Sequence, residues 1–338
     1  MTNMLLIKNA ADLNSVPGID RLAGVGTQDV DRHHPDEHWV IVGEDGAAAA
    51  RGSIWWADTP ALPAGHDGHT QGLGVIGHYA AATDEAAGLL LDHLCARLKA
   101  QGCDLAVGPM DGSTWRRYRF ITDRGGEPPF FLEPDNPDGY PGQWTSAGFE
   151  PIAGYSSGAT TDLDSADPRL ARVRERLAAS GVTLRPIDTH DFDAELIRIF
   201  DLSLIGFRGN FLYTPIDRAE FLAMYLAIRP YVRPELTIVA EEHTGGGPIP
   251  VGFLFAVPNL VTPRPDDVII KTVAVLPGRI YAGLGALMVE ECHRTAASLG
   301  YRRAIHALMY DGNESRNISS RYGEAIRRYT LFARRLPS

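Results

Sequence analysis

The chain has 338 residues, of which 44% are hydrophobic and 22% charged, as in ordinary globular proteins. This length is sufficient for two hydrophobic cores, and the sequence contains no apolar run long enough to span a membrane. A formal net charge of −10 argues against a general nucleic-acid-binding protein.

The start of the chain lacks the basic segment and the long apolar segment of a secretory signal. Cys95, Cys103 and Cys292 form no Cys-x-x-Cys pair, and the histidines are scattered, so we predict no metal site. We therefore expect a cytoplasmic, reducing location in which the thiols are structural.

The first half of the chain predicts a β-hairpin, a third strand, a helix and a fourth strand. These elements lie at residues 38–42, 52–56, 73–79, from about 84 to 101, and 103–107. The helix is indicated by apolar residues at helical spacing, and Gly102 ends it. The fourth strand leads to Asp111 and Gly112.

The second half repeats this order of elements after an opening strand and helix at residues 182–186 and 191–204. The repeated elements are strands at 236–240, 251–257 and 268–275, a helix from about Gly283, and a strand at 303–309 that also leads to Asp-Gly. Small polar residues at 156–168 predict the link between the halves. The expected architecture is α/β, with a first domain at 1–160, a linker and start of the second half at 161–180, and a second domain at 181–338.

Residues 268–285 predict an anion site, because an apolar strand leads into a loop whose Gly283 and Gly285 open an amphipathic helix. The first N–H groups of a helix have no intrahelical partner, and glycines allow a phosphate to approach the backbone. Arg279 adds a positive charge to this loop. The alternative is that these glycines only shape a turn.

This segment resembles the pyrophosphate loop of the GNAT superfamily of acyl-CoA N-acyltransferases, in which Gln or Arg precedes two small residues at a strand-to-helix junction. Gly283 and Gly285 match the small positions, Ile280 stands where Gln or Arg is usual, and Arg279 is one place out of register. The resemblance implies two tandem GNAT-like domains and an acetyl-CoA (acyl-CoA) site in the second. Its implied cofactor-binding residues are Val273, Ala274, Val275, Arg279, Ile280, Gly283, Leu284, Gly285, Asn313 and Ser315.

In the first half, the corresponding helix begins with Asp84 and Glu85. Carboxylates at a helix N-terminus satisfy its positive end and repel a pyrophosphate. We therefore interpret the first half as a degenerate copy without a cofactor.

The resemblance implies direct transfer of the acyl group to an amine, with Tyr322 as a candidate acid and Ser320 as a weaker one. His306 is a candidate base, although a histidine in a strand is commonly a hydrogen-bonded core residue. The candidate acceptor-binding residues are Phe207, Asn210, Tyr213 and Trp115. Trp115 belongs to an aromatic segment, residues 108–120, that we expect either to pack between the halves or to close over the substrate.

The C-terminal segment from Arg302 contains eight arginines, which suits either a phosphorylated ligand or a solvated closing hairpin. The favoured function is an N-acyltransferase that acts on the amine of a small molecule. Two alternatives are an aminoacyl-tRNA-dependent transferase and a GNAT-like binding module without activity. The acceptor, the acyl length and the oligomeric state stay open.

Overall fold

The structure is a computed structural model and describes residues 3–22, 26–62, 72–261, 266–312 and 323–337. The first half contains β1 (Asn3–Ile7), α1 (Ala10–Asn14), α2 (Gln28–His33), β2 (Glu37–Val42), β3 (Ala48–Trp55), β4 (Leu73–Ala81), α3 (Asp84–Ala100), β5 (Leu105–Gly108), β6 (Phe120–Asp123), α4 (Tyr140–Ser146) and β7 (Glu150–Thr160).

The second half contains α5 (Pro168–Ala179), β8 (Val182–Pro186), α6 (Phe192–Gly206), α7 (Arg218–Ile228), β9 (Ile238–Thr244), β10 (Gly247–Pro258), β11 (Asp267–Val275), α8 (Leu284–Ser298), β12 (Arg303–Tyr310) and β13 (Glu324–Arg335). Short 3-10 helices lie at Ile19–Arg21, Arg229–Tyr231, Pro234–Leu236 and Arg279–Tyr281. Both predicted hairpins, both predicted strand–helix–strand units and the mixed α/β class are confirmed.

The strands form a single mixed sheet in the order β1-β2-β3-β4-β5-β13-β7-β12-β11-β10-β9-β8, and β6 pairs with β13. The pairs β4–β5 and β11–β12 are parallel, and the other neighbours are antiparallel. At the centre of the sheet the halves exchange strands. The last strand, β13, pairs with β5 of the first half, whereas β7 pairs with β12 of the second.

The predicted linker at residues 156–168 is wrong at both ends, because Ser156–Thr160 complete β7 and Pro168 begins α5. The small side chains of β7 belong to a buried central strand: a Cβ atom at Gly154 would lie 2.7 Å from Oδ2 of Asp311. The Ser157 hydroxyl also accepts a hydrogen bond from the Leu308 N–H at 3.0 Å. The division at 1–160, 161–180 and 181–338 stays a prediction.

The predicted closing hairpin of the Arg-rich end is also wrong, because residues 324–335 form the central strand β13. Arg327 is buried there and forms a salt bridge of 2.7 Å with Glu133, which is equally buried. This part of the segment is therefore an internal strand of the sheet, in which Arg327 is buried whereas Arg328 and Arg335 are exposed.

Helices cover both halves of the sheet. In the first half α3 buries Leu90, Leu91, Leu94 and Leu98 against the strands, together with the thiol of Cys95. In the second half α8 and α5 pack on one face, and α6 and α7 enclose a separate cluster with residues of β10 and β11. All three cysteines are buried free thiols, as expected for structural residues. Among the described residues, no helix is both long enough and apolar enough for a membrane span.

Candidate active site

Strands β11 and β12 separate before they end. Their parallel pairing runs from Asp267 with Arg303 to Ile270 with His306, and β12 then continues beside β7. A β-bulge in the β10–β11 pairing falls at the same place and leaves Lys271 without a cross-strand partner on β10. Bulges often re-aim a side chain beside an active site. Beyond Ile270, the edge of β11 that faces β12 is therefore available to an extended ligand.

Helix α8 begins where this opening widens. Its N-cap is Gly283, which has a φ of 84° and makes no side-chain capping bond. A Cβ atom at Gly283 would lie 3.0 Å from the side chain of Val173. Arg176 of α5 donates hydrogen bonds to the carbonyls of Ile280 and Ala282 and so holds the preceding loop from outside. The first N–H groups of α8 are left for an anion.

The opening and the helix terminus belong to one cleft of 1560 Å³. Single small-molecule pockets are typically about 300–1,000 Å³, so this cleft is large enough for two substrates. Most of the residues predicted for the cofactor line it, together with all four predicted for the acceptor: Val273, Ala274, Val275, Arg279, Gly283, Gly285, Trp115, Phe207, Asn210 and Tyr213.

The predicted acceptor residues form one aromatic wall. Trp115 packs edge-on against Phe207 and Tyr213, with ring centroids 5.5 and 6.2 Å apart. The Trp115 indole N–H donates a hydrogen bond of 2.9 Å to the Thr214 carbonyl. The 108–120 segment therefore packs between the halves, as one hypothesis required, and it also lines the cleft, whereas closure over a substrate stays a prediction.

Six predicted residues have different outcomes. Leu284 is fully buried beside Met288, and the side chain of Ile280 is exposed outside the cleft lining. These two residues could therefore contact a ligand in the cleft only through their backbone groups. Asn313, Ser315 and Tyr322 lie outside the described residues, as does Ser320.

The predicted base His306 lines the cleft but is 4% exposed. Its Nε2 lies 2.9 Å from Nε2 of His293 in α8. Burial, with a smaller contribution from His293, lowers the pKa of His306 to about 3. An imidazole with that pKa holds a proton weakly, which disfavours it as a base.

Lys271 is a functional candidate that the sequence analysis missed. It is largely buried in the cleft lining, and its Nζ donates a hydrogen bond of 2.8 Å to the Leu132 carbonyl. Burial, together with the nearby positive charge of Arg119 and against an opposing effect of Glu133, lowers the pKa of Lys271 to about 7. The available signal was the single charged residue within the largely apolar run of residues 268–275.

The corresponding opening in the first half is filled by the chain. The Met110 N–H donates to the Ile76 carbonyl at 2.8 Å, and the His78 N–H donates to the Asp111 carboxylate at 2.6 Å. A Cβ atom at Gly77 would lie 2.0 Å from the Met110 carbonyl oxygen. Thr83 accepts a hydrogen bond from the Ala86 N–H at 3.2 Å and so caps α3.

No family model and no curated protein sequence matches the chain. Solved structures do match it over nearly its whole length. A GCN5-related N-acetyltransferase from Anabaena variabilis has a TM-score of 0.55 at 10% identity, over 99% of this chain and 73% of the other. The GCN5-related glucosamine N-acetyltransferase region of a fungal multi-domain GH3 β-N-acetylglucosaminidase has a TM-score of 0.54 at 14% identity, over 98% of this chain. The present chain spans 38% of that fungal protein.

The chain has the fold of the GCN5-related N-acetyltransferases. It is also similar to a tandem GNAT protein from the clavulanic acid biosynthesis pathway, with a TM-score of 0.50 and 12% identity over 100% of this chain and 99% of that one. The predicted GNAT fold and its tandem arrangement are thereby confirmed. Among the described residues, no group of three side chains could hold a metal ion.

Proposed function

We propose that the protein is an N-acyltransferase that moves an acetyl or short acyl group from acyl-CoA to the amine of a small molecule in the C-terminal half. The GNAT fold supports acyl transfer in general. The observation that carries the finer proposal is the single cleft in which the free edge of β11 meets the uncapped N-terminus of α8.

The residues present fit acyl-CoA. The N–H groups of Leu284, Gly285 and Ala286 precede the first intrahelical bond, from Leu287 to the Gly283 carbonyl, and form an anion cradle with Arg279 at its rim. A Cβ atom at Gly283 would narrow the loop on its Val173 side. The free edge of β11 at Val273 to Val275 suits hydrogen bonding to an extended amide chain.

The chain's own residues would perform three tasks once the activated thioester of acyl-CoA is bound. Backbone N–H groups on the free edge of β11 would stabilise negative charge on the reacting carbonyl oxygen. The aromatic wall would orient the acceptor and exclude water. Neutral Lys271 would remove a proton from the acceptor amine, because a base with a pKa near the working pH is effective.

The charge of the C-terminal segment favours neither alternative function. Three of the eight arginines that suggested tRNA binding have carboxylate partners: Arg303 pairs with Glu127 at 2.9 Å and Arg334 with Asp92 at 2.6 Å, in addition to the pair made by Arg327. A cytoplasmic location belongs to the proposal and is in keeping with three buried free thiols.

The proposal is tested by calorimetric titration with acetyl-CoA, followed by a screen of amines for release of free CoA. We expect micromolar binding and amine-dependent release of the thiol. A folded protein that binds no acetyl-CoA would overturn the proposal. Binding without turnover of any amine would favour the binding module.

A further inference from the structure

The described residues that line the cleft carry an excess of positive charge, although the protein as a whole has a formal net charge of −10. Their only carboxylate is that of Glu133. Their basic residues are Arg116, Arg117, Arg119, Lys271 and Arg279. Because Arg279 lies at the proposed pyrophosphate loop, the remaining charges concern the acceptor end of the cleft.

Several of these charges already have a partner. Arg116 forms a two-point salt bridge with Glu220, with distances of 2.6 and 3.0 Å. Arg117 lies 3.4 Å from the Asp111 carboxylate. Glu133 accepts hydrogen bonds from Arg327 at 2.7 Å and from the Tyr329 hydroxyl at 2.6 Å. Among the residues that the structure describes, Arg119 and Lys271 are the cations at this end without a carboxylate partner.

Arg119 is held rigidly in the cleft wall. Its side chain lies 4.0 Å from the ring centre of Tyr118 and 4.3 Å from that of Tyr155, and Nη1 donates to the Tyr118 hydroxyl at 2.6 Å. The residue is 6% exposed, and its Nε is buried and has no hydrogen-bond partner within the described part of the chain.

A buried guanidinium without an anion is costly for folding, and its planar donors match a carboxylate. The backbone of Arg119 also has a φ of 63°, a conformation that side-chain-bearing residues rarely adopt. Backbone strain of this kind tends to be kept at functional sites. An anionic ligand would supply a negative charge and a hydrogen-bond acceptor to the guanidinium of Arg119.

The position of Arg119 relative to Lys271 defines the kind of ligand. Both line one cleft, and the charge of Arg119 is near enough to lower the pKa of Lys271, which Glu133 raises. A ligand that binds both would present an anion to Arg119 and an amine to Lys271. Amino acids have this combination.

We propose that Arg119 is a carboxylate-binding residue and that the acceptor is an amino acid or another amine with a nearby carboxylate. The inference rests on the proposed acyl transfer, and it deepens that function by naming its substrate class. A carboxylate on Arg119 would also strengthen Lys271 as a base, because it neutralises the positive charge that weakens it.

The experiment compares three acceptors that differ only at the carboxyl group. L-amino acids are screened first for CoA release, and the best of them is compared with its carboxamide and with the amine that lacks the carboxyl group. We expect kcat/KM for the amino acid to exceed both neutral analogues by about ten- to a hundredfold, as for other hydrogen bonds between charged groups. Equal or faster turnover of the neutral analogues would overturn the proposal.

The Arg119→Gln variant tests the residue itself, with Arg119→Lys as the conservative control and acetyl-CoA affinity as the check of folding. We expect Arg119→Gln to remove the preference for the carboxylate, Arg119→Lys to restore part of it, and the pH limb of kcat/KM that reports Lys271 to move upward in Arg119→Gln. A preference that persists in Arg119→Gln would contradict the assignment.

A measurement on the unaltered protein covers the case in which the variants fail to fold. The N-acetylated amino acid should inhibit turnover, and its carboxamide should inhibit at least about tenfold more weakly. Equal inhibition would overturn the proposal. A folded wild-type protein that binds no acetyl-CoA would instead overturn the acyltransferase function itself. Failure of the amino-acid proposal can therefore be distinguished from failure of the proposed function.

Discussion

The two halves of the sheet contain the same local arrangement, in which two parallel strands separate beside the start of a helix. In the first half, Met110 and Asp111 fill the gap, and the Thr83 hydroxyl caps α3. In the second half the gap is an open cleft, and Gly283 leaves the first N–H groups of α8 uncapped. The same fold thus yields a filled gap in one half and an open cleft in the other.

The difference shows which features create a site in this fold. The separation of the strands is not sufficient, because the first half also has it. An accessible helix N-terminus and a gap free of the chain's own backbone are both required. Each of the following predictions tests one part of this contrast.

The largest expected effect concerns acid, to which both halves should respond alike. His38 and His78 in the first half and His293 and His306 in the second are buried, and burial lowers the pKa of each, to about 4 for His293 and about 3 for His306. Because the unfolded chain binds the protons more tightly, stability is complete above about pH 6.5 and falls below it by roughly 1.4 kcal/mol per histidine per pH unit.

Urea denaturation between pH 7 and 5 measures this slope. His78→Asn and His306→Asn should each reduce the slope of unfolding free energy against pH by the contribution of about one proton. A stability that does not change between pH 6.5 and 5 would contradict the buried neutral state of these histidines.

Substitution of Lys271 should have the next largest effect and should be confined to catalysis. Lys271→Met should lower kcat by about a hundred- to a thousandfold, as expected for loss of a general base, and leave acetyl-CoA affinity unchanged. In the wild type, kcat/KM should rise through a pH of about 7, the pKa of Lys271, and this rise should disappear in the variant. An unchanged pH profile would remove Lys271 from the mechanism.

Closure of the first half should depend on the absence of a side chain at Gly77. Gly77→Ala should destabilise the protein by about 3 kcal/mol or more, because the new Cβ atom meets the backbone of Met110. Gly88→Ala in α3 is the matched control, because a Cβ atom there meets nothing within 4 Å. It should stabilise the protein by about 0.5–1 kcal/mol. Thermal unfolding of the two variants measures the difference, and equal effects would contradict the filled gap.

The smallest effect is expected at the cap of α3. Thr83→Ala removes the hydroxyl that accepts from the Ala86 N–H, and it should cost about 1 kcal/mol of stability. Acetyl-CoA affinity should not change, because this helix takes no part in the proposed cofactor site. A change in affinity would show that the first half also contributes to binding.

The sequence brought together residues that the structure places along one cleft, although their roles stay predictions. Gly283, Arg279 and the strand before them lie close together in the chain, so spacing alone indicated a loop that suits an anion. Asp84 and Glu85 at the start of α3 predicted a first half without a cofactor, which stays a prediction, whereas the closure by Met110 and Asp111 was not predicted.

The missed parts depend on contacts between distant segments. The small polar residues of β7 and the arginines of β13 have the composition of a linker and of a solvated end, yet they occupy the centre of the sheet. The pKa of Lys271 is low because the side chain is buried and lies near Arg119 and Leu132, which belong to the first half of the chain. Single-sequence patterns contain no direct signal for such contacts.

The most direct test of an open second half and a closed first half is a calorimetric titration of acetyl-CoA into wild type, Gly283→Asp and Gly283→Asn. Both variants place a side chain at the positive φ of Gly283 and bring a Cβ atom against Val173, and they differ in charge. We predict one equivalent bound by the wild type, retained binding in the Asn variant, and affinity in the Asp variant weaker than in the Asn variant by at least about tenfold, because a carboxylate would occupy the helix N-terminus. Equal affinities of the two variants, or two equivalents bound by the wild type, would contradict the account.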